Sequence, residues 1–76
     1  MKLRNIDSKK TLKAFQKMGF EIKAQSGTHV IVTGYINGNK KTFPIPIHHK
    51  EIPEGTINDI IKREAGITRE EFFKYY

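Results

Sequence analysis

The chain contains no cysteine. That excludes a disulfide framework and a thiolate metal site, and it leaves the redox compartment open. No apolar run is long enough to span a membrane, and none follows the basic start Met1-Lys2-Leu3-Arg4-Asn5. Neither a membrane helix nor a signal peptide is therefore expected, and the default location is cytoplasmic. Histidine is scarce: only His29, His48 and His49 occur, with no His-x-x-x-His pair. In extended chain, adjacent His48 and His49 point to opposite sides, so no metal site and no cofactor is expected. Acidic residues are few, 8 against 14 lysines and arginines, for a net charge of +6. Such an excess favours an anionic partner; nucleic acid, an acidic protein and a membrane surface all satisfy it. The 76 residues, 1–76, allow one domain. A domain this small buries only about 60 % of its unfolded surface, so its stability rests on close packing or on a partner.

Local patterns suggest six elements. Asp7 or Ser8 can cap a first helix in which Leu12, Phe15 and Met18 recur at helical spacing, and Gly19 suits a left-handed stop. Lys9, Lys10, Lys13 and Lys17 project away from that face. In the run 20–25, Phe20, Ile22 and Ala24 alternate with polar residues, as on one face of a strand. Ser26-Gly27-Thr28 marks a turn, and His29-Val30-Ile31-Val32-Thr33 is β-branched and strand-prone. With Val30 and Val32 inward, His29, Ile31 and Thr33 face the other way. Asn37-Gly38 is the strongest short hairpin signal. A third strand over about 41–47 carries Pro44 and Pro46, which cannot donate to a ladder, so it is expected at an edge. Residues 48–55 read as a loop, with Thr56 capping a second helix in partnership with Asp59. Ile57, Ile60 and Ile61 form the buried face of that helix, and Gly66 ends it. Thr68-Arg69-Glu70-Glu71 is a capping box that opens a short last helix bearing Phe72, Phe73, Tyr75 and Tyr76. The expected fold is α+β, a double-stranded-RNA-binding-like α-β-β-β-α arrangement. It has a three-stranded antiparallel sheet, helices on one face and a short C-terminal helix. The other sheet face stays open.

His29 falls at a turn-to-strand junction on that open face, just after Gly27, which permits close backbone approach. Histidine is the side chain that ordinarily exchanges protons near neutrality. Cleavage of RNA without a metal requires such a group. The ribose 2′-hydroxyl must lose a proton to attack the neighbouring phosphate, the 5′-oxygen must gain one, and cations can stabilise the charge between them.

Three stretches sharpen this reading: Ser26-Gly27-Thr28-His29-Val30-Ile31-Val32, Pro46-Ile47-His48 with Glu51-Ile52-Pro53-Glu54-Gly55-Thr56-Ile57, and Ile60-Ile61-Lys62-Arg63-Glu64-Ala65-Gly66-Ile67. In order and spacing the chain resembles the HicA family of toxin–antitoxin systems. The resemblance implies a metal-independent ribonuclease toxin that cleaves messenger RNA and arrests growth. It also implies a monomeric free toxin with a double-stranded-RNA-binding-like fold, restrained by a HicB antitoxin. By position it makes His29 the catalytic histidine. Gly27, Thr28, Lys23, Lys41 and His48 are candidates for RNA binding or support. The family usually has serine where this chain has Thr28, which keeps the hydroxyl and adds a methyl. Two other readings use the same charge: a non-catalytic RNA-binding module, and a protein-interaction domain for an acidic partner. The lysines of the first helix are most simply a solvated face, or sequence-blind phosphate contacts if RNA binds there.

Overall fold

The computed structural model describes residues 2–76. A short strand β1 (Ile6–Asp7) leads into helix α1 (Ser8–Lys17). Strands β2 (Glu21–Ser26), β3 (His29–Ile36) and β4 (Asn39–Pro46) then form an antiparallel sheet in the order β2-β3-β4. A second short strand β5 (Glu51–Ile52) precedes helix α2 (Glu54–Asp59), which continues as a π-helical segment (Ile60–Ala65). Helix α3 (Arg69–Tyr75) closes the fold. This is the expected α+β arrangement, with the three-stranded sheet, the flanking helices and the short C-terminal helix in the expected order.

Four signals that act over a few residues hold. Asp7 caps α1, its carboxylate accepting from the Lys10 amide at 2.8 Å. Thr68 caps α3 by accepting from the Glu71 amide at 3.1 Å. Asn37 (φ +52°) and Gly38 (φ +81°) make the β3–β4 turn, both in the left-handed region that a tight hairpin requires. Gly66 (φ +71°) ends the π-helical segment in the same region.

Five expectations need correction. The inward face of α1 is Ser8, Thr11, Ala14 and Phe15, while Leu12 and Met18 are only half-buried against the core. Ser8 is not the cap; it is buried, and its hydroxyl donates to the His49 carbonyl at 2.7 Å. Phe20, Ile22 and Ala24 do not share a face. Phe20 is buried ahead of β2, Ile22 pairs with Val32, and a bulge at Lys23 shifts Ala24 onto Ile31, so Ala24 turns to the other side. The segment 48–55 is not all loop, because β5 pairs antiparallel with β1, Ile6 opposite Ile52 and Asp7 opposite Glu51. Nor does Thr56 cap the second helix: it lies inside α2, which starts after Pro53 without a side-chain cap. Proline presets φ for the entry to the helix but offers no side-chain acceptor, so the first-turn amides of α2 have no side-chain cap.

The core lies between the sheet and the helices. Phe15 sits at its centre, with ring centroids 5.4 Å from Phe20, 5.2 Å from Phe43 and 6.1 Å from Phe72. Val30, Val32 and Ile45 from the sheet meet Ile57, Ile60 and Ile61 from the second helix. The last residue is tied back to the first strand: the Asp7 amide donates to the Tyr76 hydroxyl at 2.9 Å, and Lys10 Nζ lies 4.4 Å from the centre of the Tyr76 ring. Gly34 in β3 has no room for a side chain, since a Cβ there would come within 2.7 Å of the Phe20 ring. We expect Gly34→Ala to cost about 1–3 kcal/mol as an overpacked core does. Thermal unfolding followed by circular dichroism would show the lower midpoint.

Candidate functional site

His29 begins β3 and is exposed. The β3–β4 register places it opposite Pro46, Ile31 opposite Pro44, and Thr33 opposite Thr42. All six project from the face away from the core, and the Thr33 and Thr42 hydroxyls meet at 2.9 Å. A proline cannot exchange both ladder bonds with a partner, so Pro44 and Pro46 occupy non-hydrogen-bonded pairs, where side chains stand closest. The Pro46 ring therefore flanks the His29 imidazole. The strand end is fixed further by Ile47, whose amide donates to the Thr28 carbonyl at 2.9 Å.

Thr28 Oγ1 lies 2.8 Å from His29 Nδ1. The threonine that stands where the resembling family usually has serine thus carries its hydroxyl to the imidazole. Gly27 (φ +39°) forms the tight turn just before, and a side chain there would point into open space.

From this strand end a groove of about 600 Å³ runs to the second helix. Its sheet wall is His29, Pro44 and Pro46. His49 and Pro53 line it from the connection, and Thr56, Asp59, Ile60, Arg63 and Glu64 from the helix. The 3 prolines of the chain all border it, giving it walls that are stiff and poor in competing N–H donors. Histidine, arginine and acidic residues therefore border one open groove. Such a set can transfer protons and hold a phosphate.

The other candidates from the sequence are more scattered. His48 is exposed beside His49, with ring centroids 4.4 Å apart, but it borders a different depression, by Asp7 and Lys9. Lys23 sits at the β2 bulge, three residues from the Ser26 that pairs with His29. At about 3.4 Å per residue it lies roughly 10 Å along the strand. Lys41 is farther off, opposite Gly34 and five residues from Pro46, roughly 17 Å by the same spacing, and its ammonium approaches Gly66. Among the described residues, no group of three His, Cys, Asp or Glu side chains is placed to hold a metal ion. Among the described residues, no helix is long and apolar enough to cross a membrane.

Sequence reasoning missed His49 and Arg63 as groove residues. Arg63 falls in the 60–67 stretch that carries the family resemblance, and His49 in the 48–55 loop, neither with a role assigned there. No local signal marks either one, because the groove is made by segments that meet only in the fold.

Comparison with known families, proteins and structures gives one positive result. The family model described as HicA toxin of bacterial toxin–antitoxin matches residues 8–67, which takes in α1, the whole sheet and the second helix. No curated protein and no solved structure matches. The matched stretch is most of the chain and includes His29 and every residue lining the groove, so this chain belongs to the HicA toxin family of bacterial toxin–antitoxin systems.

Proposed function

We propose that the chain is a ribonuclease toxin that cuts messenger RNA, with His29 as its proton-transfer residue. The observation that carries this reading is the Thr28–His29 contact at the exposed start of β3. A hydroxyl bonded to Nδ1 fixes the ring orientation. When Nδ1 carries the proton and donates it to Thr28, Nε2 is left as a base. A ribose 2′-hydroxyl delivered to Nε2 loses its proton there and attacks the adjacent phosphorus. Arg63, on the opposite wall, supplies a planar cation suited to a phosphate as charge builds on it. No metal enters this sequence of events. The exposed lysines Lys9, Lys10, Lys13 and Lys17 add sequence-blind attraction for the RNA backbone.

Family membership implies a cognate antitoxin. In this reading it is a HicB-type protein that covers the His29 face, so that inhibition is steric. The cellular consequence is arrested translation and growth.

The test is purified protein with single-stranded RNA in excess EDTA. Cleavage is expected, kept by Thr28→Ser and lowered about tenfold or more by Thr28→Val, which keeps the shape and loses the hydroxyl. A second reading, a non-catalytic RNA-binding module, is favoured by the lysines of α1 alone. It predicts RNA that is bound, with a steep loss of affinity as salt rises, and never cut.

A further inference from the structure

The reaction proposed above needs two proton transfers, and His29 accounts for one. The alkoxide that leaves from the 5′ side is a strong base and needs a proton as it departs. The groove offers one other imidazole, that of His49, on the wall between the sheet and α2.

Its backbone is held in place from a distance. Ser8, 1 % exposed, donates its hydroxyl to the His49 carbonyl at 2.7 Å. The Ser8 amide donates to the Lys50 carbonyl at 2.8 Å. The β1–β5 pairing continues the same clamp, with Asp7 opposite Glu51. The Ile47 amide anchors the other side by donating to the Thr28 carbonyl, next to His29. Both histidines are thus fixed to one framework across a short span of chain. A free surface loop would not be pinned at both ends in this way. The His48 ring stands edge-on to His49 and shares a second depression with it, but His48 does not line the groove.

We propose that His49 is the second proton-transfer group of the site, a general acid that protonates the 5′-oxygen. The proposal rests on the reading of His29 as the base. As the bond from O2′ to phosphorus forms and the bond from phosphorus to O5′ breaks, one proton passes from the 2′-hydroxyl to His29. Another passes from protonated His49 to O5′. The products are a 2′,3′-cyclic phosphate and a 5′-hydroxyl end, and no oxidant, reductant or metal is consumed. Arg63, on the helix side of the same groove, supplies the cation for the phosphate. Ser8 acts through His49 and is a positioning residue.

The test compares two RNA substrates of one sequence, one natural and one carrying sulfur in place of the bridging 5′-oxygen at the cut site. A thiolate leaves without help from an acid, so an acid's contribution disappears with the sulfur substrate. His49→Ala and His49→Gln are expected to lose about 10²- to 10³-fold on the natural RNA and less than about fivefold on the sulfur RNA. His29→Ala should lose heavily on both. Equal losses on the two substrates for the His49 variants would overturn the proposal, as would no loss on the natural RNA. A sulfur-rescued loss in His48→Ala in place of His49→Ala would overturn it too. If wild-type protein cuts neither substrate, the ribonuclease reading falls and takes this proposal with it. If His29→Ala alone is impaired, only the assignment of His49 falls.

Discussion

His29→Ala is expected to abolish RNA cleavage while leaving the fold and the affinity for RNA in place. A positioned general base contributes about 10²- to 10⁴-fold, equivalent to about 3–5 kcal/mol of transition-state stabilisation. The ring is exposed, and its side-chain hydrogen bond is to its neighbour Thr28. Trimming it to alanine therefore opens no cavity, and the backbone bonds of β3 stay as they are. Thermal unfolding should show a midpoint within a few degrees of wild type, and a salt titration of RNA binding should show the same slope, because the lysines that release counterions remain. The cellular counterpart is growth on induction, which wild type should arrest and His29→Ala should not. Cleavage by His29→Ala at the wild-type rate would remove the catalytic assignment and leave the RNA-binding module as the better account.

Phe15→Ala should have the largest effect on stability. Phe15 is fully buried and touches three other phenylalanines, Phe20, Phe43 and Phe72, from the α1–β2 turn, β4 and α3 respectively. Truncation of a buried phenylalanine typically costs about 3–5 kcal/mol, part in lost transfer energy and part in the cavity left behind. A chain of 76 residues has total stability on the order of 4–11 kcal/mol at about 0.05–0.15 kcal/mol per residue. One substitution thus removes about a quarter of the stability or more. Denaturant unfolding should show the midpoint falling with the slope unchanged. Phe15→Leu, which keeps most of the volume, should lose much less. A change below about 1 kcal/mol for the alanine variant would mean that the four rings do not pack as described.

How far the sequence spoke for itself depended on the range of the interaction. The Asn37-Gly38 turn, the Gly66 stop and the Thr68 cap depend on one residue's φ or on a bond across three residues, so the local pattern sufficed. The β1–β5 pair joins Ile6 to Ile52, and two-residue strands carry no alternation to recognise. The bulge at Lys23 is invisible to strict alternation, which assigned Ile22 and Ala24 to one face. Thr56 has the side chain of a cap, but Pro53 had already begun the helix. The candidate site divides in the same way. His29 could be placed by its neighbours and by family resemblance. His49 is held by Ser8, a residue 41 positions earlier, and could be found only in three dimensions.

The bulge in β2 has a consequence beyond the site. β2 is an outer strand, exposed along its whole length, and its free row of amides and carbonyls could template a second copy of the chain. An extra residue halfway along, a lysine, breaks the even spacing that such stacking needs and adds like-charge repulsion between copies. A toxin parted from its antitoxin has to stay dispersed. Lys23→Val with the bulge retained removes the charge alone, and deletion of Lys23 removes charge and bulge together: light scattering of the concentrated free protein should rise for the first and rise further for the second.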